Sequence, residues 1–446
     1  MTAPPTLTPK PAPPAQPDAA RAKPNRGPGR PQTSPSGDAP DIAEAGDTTL
    51  PLAPPSARPD TLWSAWRRVR QAQAQCRDAP VRAGLTAQRL ALNSPWPQDV
   101  SDLFAQAAVE SIEISQPWYN NLAQTVFQAH PETALWVLRC NALAVAAIPV
   151  RVDPMPGGRQ LAALGNYYTA FYAPTLAADV TAAELAMLLH AMRRHYGNLG
   201  RLSFQPMDPQ SIGHPKLLQA LEMNGLLCFQ YFRFGNWYLR NPGSWDAYLA
   251  GRSGNLRSRA KRTSKRMSDA GGHTEIVTTV DALAPALAAY WQVYLASWKH
   301  EEGHPAFIDG LARWSAEHGH LRLGVYWLKD QPVAAQIWLV AHGKAEIFKV
   351  AYDEAHKALS PGTVLMTAML KHTLDHDAVK EVDFLIGDDA YKRDWMTHRR
   401  ERWGLEAYDP FTPGGLLGLS KELIGRLMRR IKPPASAATS TAEPAA

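Results

Sequence analysis

The chain has 446 residues, 45% of them hydrophobic, and a net charge of +6 from 47 Lys and Arg against 41 Asp and Glu. That length exceeds one ordinary domain, and three widely separated cysteines, Cys76, Cys140 and Cys228, exclude a small disulfide-stapled scaffold. The charge is local: Arg252 to Arg266 holds seven Lys or Arg and no acid.

Residues 1–59 contain 16 of the 38 prolines and no Phe, Trp or Tyr, so they predict a disordered Pro/Ala-rich tail, as do 433–446. No apolar run follows a basic start, and the longest apolar stretch, 135–150, is broken by Arg139 and Asn141 and is too short to span a bilayer. The reading is of a cytoplasmic chain. A helical lead-in occupies 60–116, with a helix over 63–75. A first domain follows over 117–245: helix 118–129, a hairpin of 133–138 with 142–150 around Asn141, a loop at 154–158, and an aromatic strand 166–172. Then come helix 181–196, capped by Thr181 with Glu184 three residues on, strand 202–205, helix 215–224 stopped by Gly225, and strand-rich 226–239.

A second domain spans 246–412. It begins with a basic helix over 255–268 whose apolar stripe is Leu256, Ala260, Thr263 and Met267. Helices at 283–298 and 307–317, a hairpin of 321–327 with 333–340, a strand ending at Tyr352, helix 361–376 and strand 381–386 complete it. A basic amphipathic helix at 413–432 has Leu416, Leu419, Leu423, Leu427 and Ile431 on one stripe, the kind of face that can lie on an anionic inner membrane. The order hairpin, strand ending in Tyr (Tyr172; Tyr352), helix, strand running into an acid (Asp208; Asp388) occurs in both domains. It implies two copies of one unit.

In the second copy the helix starts at Ser360-Pro361-Gly362-Thr363. Ser360 suits the N-cap and Pro361 the first turn, and Gly362 and Thr363 offer backbone N–H groups to an anion. Asp383, Asp388 and Asp389 stand at the carboxyl end of the last core strand, where ligands collect in sheets of this kind. Lys349 and Lys392 can steady phosphate or oxyanion charge, and Gln336 can orient an amide. His372 and His376 stand four apart without a third ligand, and His300-Glu-Glu-Gly-His304 is equally weak, so no metal is expected.

Arg257-x-Arg-Ala-Lys-Arg, Pro332-Val-Ala-Ala-Gln336, Phe348-Lys-Val-Ala-Tyr-Asp353, Leu359-Ser-Pro-Gly-Thr363 and Asp383-Phe-x-x-Gly-Asp388-x-x-Tyr-Lys392-x-x-Trp395 together resemble the GNAT-superfamily acetyltransferases of the CelD/BcsL type, associated with cellulose and exopolysaccharide synthesis. That family is similar in architecture to the Fem-type peptidyl transferases. The resemblance implies an α/β (α+β) fold of two tandem GNAT-like domains, each a mixed sheet flanked by helices. It implies an enzyme that moves an acyl group from acyl-CoA, its co-substrate, to an amine or hydroxyl of a small-molecule, lipid-linked or saccharide acceptor. Asp388 would orient the acceptor or act as base, with Asp383 second, and Tyr391 would protonate the departing thiolate. Ser360, Gly362, Thr363, Lys349 and Lys392 would hold the donor, and Gln336, Arg257 and Arg259 would bind substrate. Where the superfamily's phosphate loop has two small residues, 356–363 has one glycine. The alternatives are a Fem-type transferase using aminoacyl-tRNA and a non-catalytic accessory protein of a polysaccharide synthase. Against tRNA, Arg252 to Arg266 has no aromatic residue on which a base could stack.

Overall fold

The computed structural model describes residues 61–431, and the tails expected over 1–59 and 433–446 lie outside the described residues. The first half comprises α1 (Leu62–Asp78), β1 (Leu85–Leu90), α2 (Gln98–Ala107), α3 (Gln116–Asn121), β2 (Thr133–Cys140), β3 (Leu143–Met155), β4 (Gly158–Ala163), β5 (Thr175–Leu176), α4 (Ala182–Tyr196), β6 (Leu199–Met207), α5 (Gly213–Met223) and β7 (Leu227–Arg240). The second comprises α6 (Trp245–Ala250), α7 (Gly254–Asp269), β8 (Gly272–Val277), α8 (Leu283–Leu295), α9 (Pro305–Glu317), β9 (Leu321–Leu328), β10 (Gln331–Ala341), β11 (Lys344–Tyr352), α10 (Pro361–Asp375), β12 (Glu381–Asp383), α11 (Ala390–Trp395), β13 (His398–Tyr408) and α12 (Pro413–Ile431).

All the strands join one sheet in the order β1-β2-β3-β4-β6-β13-β7-β12-β11-β10-β9-β8, with β5 on β3. Read from its two ends, that order is symmetric: β1 answers β8, β2 β9, β3 β10, β4 β11, β6 β12 and β13 β7. The repeat seen in the sequence is therefore a repeat of topology. At the centre the copies exchange their last strands. β13 runs between β6 and β7, and the end of β7 pairs with β12 through Tyr238 to Arg240. Each copy's sheet is completed by the other's strand.

One layer of helices serves both copies. Phe104 (α2), Trp118 (α3), Tyr290 (α8) and Phe307 (α9) share a core with Leu135 and Val137 of β2 and Ile337 and Leu339 of β10. On the opposite face α4 and α5 bury Leu185, Leu189 and Leu217 against the first copy, and α10 buries Leu365 and Met369 against the second. The stripe read on the basic helix is the buried one: Leu256, Ala260, Thr263 and Met267 of α7 face inward. The predicted stop at Gly225 holds too, since its φ of +81° is a backbone conformation glycine adopts without strain.

Five expectations change. The lead-in expected to be helical over 60–116 also contributes β1, which pairs antiparallel with β2 at one edge of the sheet. The aromatic segment 166–172 is a loop: Tyr168 N–H donates to Asn166 Oδ1 at 3.0 Å, and the Glu113 carboxylate takes the N–H groups of Ala170 and Phe171. Tyr168, Phe171 and Tyr172 are buried by the loop's course and not by a pleat, and Tyr167 is exposed. The counterpart of β11 is consequently β4, not the stretch ending at Tyr172. The loop at 154–158 is a tight hairpin from β3 into β4, turning at Gly157 with φ +80°. Helix 118–129 divides into α3 and a wider turn, Leu122–Val126. Strand 381–386 ends its pairing at Asp383, for a reason that belongs to the site.

Candidate active site

β11 and β12 run parallel, but they pair only over Lys344 to Glu346 with Glu381 to Asp383. β12 then stops while β11 continues to Tyr352, so from Ile347 onward one edge of β11 faces a gap. Backbone donors and acceptors on that edge need partners from solvent or a ligand. The cause is local. Asp383 Oδ1 accepts the Leu385 N–H at 2.7 Å, Asn236 Nδ2 donates to Leu385 O at 2.8 Å, and Leu385 adopts a φ of +52°. Side chains thus replace the ladder, and the chain turns away.

Beyond Tyr352 a short turn, Glu354–Leu359, leads into α10 beside the gap. Ser360 stands at the expected N-cap position but in the left-handed region (φ 56°, ψ 50°) and makes no side-chain cap bond. Its carbonyl takes the Thr363 N–H at 3.1 Å, so of the two amides expected to be open Thr363's is engaged, and Gly362's is the open one. Gly362 backs onto Tyr352, where an added Cβ would meet ring Cδ1 at 3.2 Å. The first turn of α10 carries no acid.

The three proposed catalytic residues lie in different settings. Asp383 is buried and accepts bonds from Arg400 and, at 2.5 Å, from Asn236, with Lys344 Nζ 3.5 Å away. Burial alone would raise its pKa, but Arg400 and Lys344 hold the carboxyl well below the usual range. Asp388 is half-exposed: Arg399 Nη2 donates to Oδ2 at 2.7 Å and the Trp237 indole to Oδ1 at 2.6 Å. The Arg399 bond holds this carboxyl below its ordinary value, with the Trp237 bond adding to it. Tyr391 packs edge-on against Phe384 at 5.5 Å, and burial of its phenol, with the nearby Asp389 charge, pushes its pKa up. It keeps its proton at neutral pH.

Lys392 is buried, donates to the Ile386 carbonyl and lies 3.3 Å from Asp389. Lys349 projects from the unpaired length of β11 to Glu302 at 2.7 Å and sits 4.7 Å from the Tyr168 ring. Gln336 lies one strand further in, buried, with its Oε1 accepting the Trp338 indole at 2.9 Å. Arg257 is exposed on α7 and Arg259 reaches Asp394 at 3.6 Å. From the same helix Arg266 donates to Ala358 O at 2.8 Å, so the basic helix braces the turn before α10. The structure thus gathers Asp388, Tyr391, Lys392, Lys349 and Gly362 around the gap, and places Asp383, Gln336 and Arg257 away from its open edge.

Sequence reasoning missed Glu302, Trp237, Arg399 and Arg400. Glu302 was weighed only within the weak metal pattern, yet Lys349, Tyr167, Tyr168 and Tyr294 all reach it. Among the described residues no cluster of three or more His, Cys, Asp or Glu suits a metal.

Parallel strands that part beside the N-terminus of the helix joining them are the core of the acetyltransferase (GNAT) fold; the second copy shows that split, and the first copy repeats its strand order. The family comparison falls on the second copy. Residues 254–393 match the family described as "Acetyltransferase (GNAT) domain". Among solved structures, FemX is similar over 75% of this chain and 100% of its own, at 11% identity and a TM-score of 0.51. A tandem GNAT protein from the clavulanic acid biosynthesis pathway matches over 73% of this chain and 99% of its own (15% identity, TM-score 0.41). L-PGS from Bacillus licheniformis matches over 64% and 86% (13%, 0.41). No curated protein matches.

Proposed function

We propose that this protein is an acyl-CoA-dependent acyltransferase, acting from its second copy on an amine or hydroxyl of an envelope or exopolysaccharide acceptor. The observation that carries the reading is the coincidence of three features: the unpaired edge of β11, the uncapped start of α10 with its open Gly362 amide, and Asp388 beyond β12. Acyl transfer needs an anchored donor, a positioned acceptor, oxyanion stabilisation and a proton for the leaving thiolate. Gly362 and the β11 edge supply donors and acceptors of the right kind for a diphosphate and an amide-rich arm. Lys392 and Lys349 supply positive charge. Asp388, a weak base under Arg399, orients the acceptor's N–H or O–H, and Tyr391 holds the proton for the leaving group. Asp383, locked in its ion pairs, maintains the split between the strands. The envelope assignment rests on the resemblance to the CelD/BcsL type.

The test is to titrate acetyl-CoA and longer acyl-CoAs against the protein, following thermal shift and thiol release. A saturable rise in Tm supports the reading, and absence of binding by every CoA thioester overturns it. Part of the same proposal is peripheral contact with an anionic membrane through α12. No described helix is long and apolar enough to cross a membrane. Of the predicted stripe, Leu419 is buried and Leu423 packs with it against α1 and β7, while Leu416 and Leu427 of that stripe, with Leu417, Ile424 and Met428, are exposed on α12, and Phe411 before it is 84% exposed. Flotation with phosphatidylglycerol vesicles should carry the wild type upward and leave the Ile424→Glu/Leu427→Glu variant behind. Equal behaviour of the two would remove this part.

A further inference from the structure

Three lysines approach one another beside the gap: Lys349 from β11, Lys392 from α11, and Lys299 from the segment between α8 and α9. The carboxylate nearest Lys349, Glu302, has no lone pair left for a second cation. Its Oε2 takes Lys349 at 2.7 Å and the Tyr294 hydroxyl at 3.2 Å, and its Oε1 takes Tyr167 at 2.9 Å and Tyr168. Lys392 is held by Asp389 and the Ile386 carbonyl. Lys299 has no such match: among the described residues no carboxylate or carbonyl lies within ion-pair or hydrogen-bond reach of its ammonium. That group stands 5.7 Å from the Tyr294 ring and 5.8 Å from the Trp298 ring.

The segment carrying Lys299 is fixed on both sides. Glu354 N–H donates to Ala296 O at 3.2 Å, Trp298 packs on Tyr352 at 4.5 Å, and the Tyr294 hydroxyl divides its one proton between His300 O and Glu302 Oε2, each at 3.2 Å. Tyr352 is the end of β11 and the residue against which Gly362 rests, so Lys299 is tied to the mouth of the gap. Burial pushes its ammonium down to about 8, the charges of Lys349 and Lys392 press the same way, and Glu302 opposes them. A held, partly desolvated cation without a counter-charge gains most from an arriving anion.

We propose that Lys299 recognises an oxyanion, a carboxylate or phosphate, carried by the acceptor, so that this cleft selects anionic acceptors. The proposal rests on the reading of the cleft as the transfer site, and its test separates the two. The lysines are reductively methylated with 13C and followed by NMR, with Lys299→Gln assigning the resonance and Lys299→Arg preserving the charge. Inorganic phosphate and acetate are the probes. In wild type the Lys299 resonance titrates near 8 and moves upward by about one pH unit with the preferred anion, and whichever of the two saturates names the class.

Binding of the same anion to unmodified protein should weaken at least about fivefold in Lys299→Gln and be retained in Lys299→Arg. A resonance indifferent to both anions overturns the proposal. So does a loss of acetyl-CoA affinity in Lys299→Gln equal to the loss of phosphate affinity, because the anion would then be the donor's. If wild type binds no acetyl-CoA, the acyltransferase reading fails, while the response of Lys299 to phosphate or acetate still decides the anion site.

Discussion

The helices α4 and α10 follow corresponding hairpins and open in opposite ways. At α4 the Thr181 hydroxyl accepts the Glu184 N–H at 3.2 Å and Glu184 Oε2 accepts the Thr181 N–H at 3.0 Å, a complete capping box. Arg82 then clamps Glu184 at 2.6 Å and reaches Asp179 at 2.8 Å. The first copy has thus placed its own carboxylate where an anion would bind. At α10 there is no acid in the first turn and no side-chain cap. The strands differ in the same sense: β4 ends one residue after its pairing with β6, whereas β11 runs six residues past its pairing with β12. The two copies thus share an outline, and the helix start at α4 is filled by its own carboxylate where that at α10 is not.

The largest contrast should come from the two acids that follow the corresponding strands. Asp388→Ala should reduce turnover by about 10²-fold or more while leaving Tm nearly unchanged, because its partner Arg399 is solvated enough to lose it. Asp208→Ala should do the reverse. It leaves Arg402, which is 5% exposed and bonded to Asp208 at 2.7 Å, without its counter-charge, at a cost of about 3 kcal/mol, and spares acyl-CoA binding. Paired measurements of kcat and of denaturant midpoint check both. Collapse of the fold in Asp388→Ala would make that residue structural and erase the contrast.

A smaller effect follows from moving the plug. Thr363→Glu puts a carboxylate at the third position of α10, as Glu184 stands in α4, and should weaken acetyl-CoA binding about tenfold, measured by calorimetry. Glu184→Gln should leave that affinity unchanged. The plug should also show in acid. Burial works to raise Glu184, but Arg82 and the backbone bonds outweigh it and hold the carboxyl at about 2, against an ordinary value of 4.5. Its contribution is therefore complete above about pH 4.5 and is lost as pH falls toward 2. The stability difference between wild type and Arg82→Ala should shrink over that window, and a constant difference would mean the pair does not seal α4.

The central helix of each copy, the capping of α4, the buried stripe of α7 and the existence of a repeat were legible, because each is set by spacing within a few residues or within one unit, whereas the strands β1, β4, β8 and β13 were not read. What escaped the sequence is long-range. Glu302 gains its meaning from Tyr167 and Tyr168 in the other copy, and Asp383 from Arg400 and Asn236 on the exchanged strands. The aromatic run 166–172 misled because its aromatic composition suits a strand, whereas the chain there is a loop in which 168–172 are buried in succession. Strand 381–386 misled because hydrogen bonds from Asn236, more than 140 residues earlier, end its pairing.

The smallest expected effect tests the exchange itself. Trp237 lies on β7, a strand of the first copy, yet its indole donates to Asp388 of the second at 2.6 Å. Trp237→Phe keeps the ring and removes the donor. One hydrogen bond to a charged, half-exposed carboxylate is worth about 1 kcal/mol, so kcat should fall about fivefold. The KM for acyl-CoA should not change, because the donor end at Gly362 is built from second-copy residues alone. Trp237→Ala, which also removes the packing, should not restore activity. If Trp237→Phe matches wild type in kcat, the first copy only completes the sheet. If kcat falls while KM holds, the strand that closes the sheet also positions the acid of the site, and that gives a direct reason for the two copies to remain interleaved.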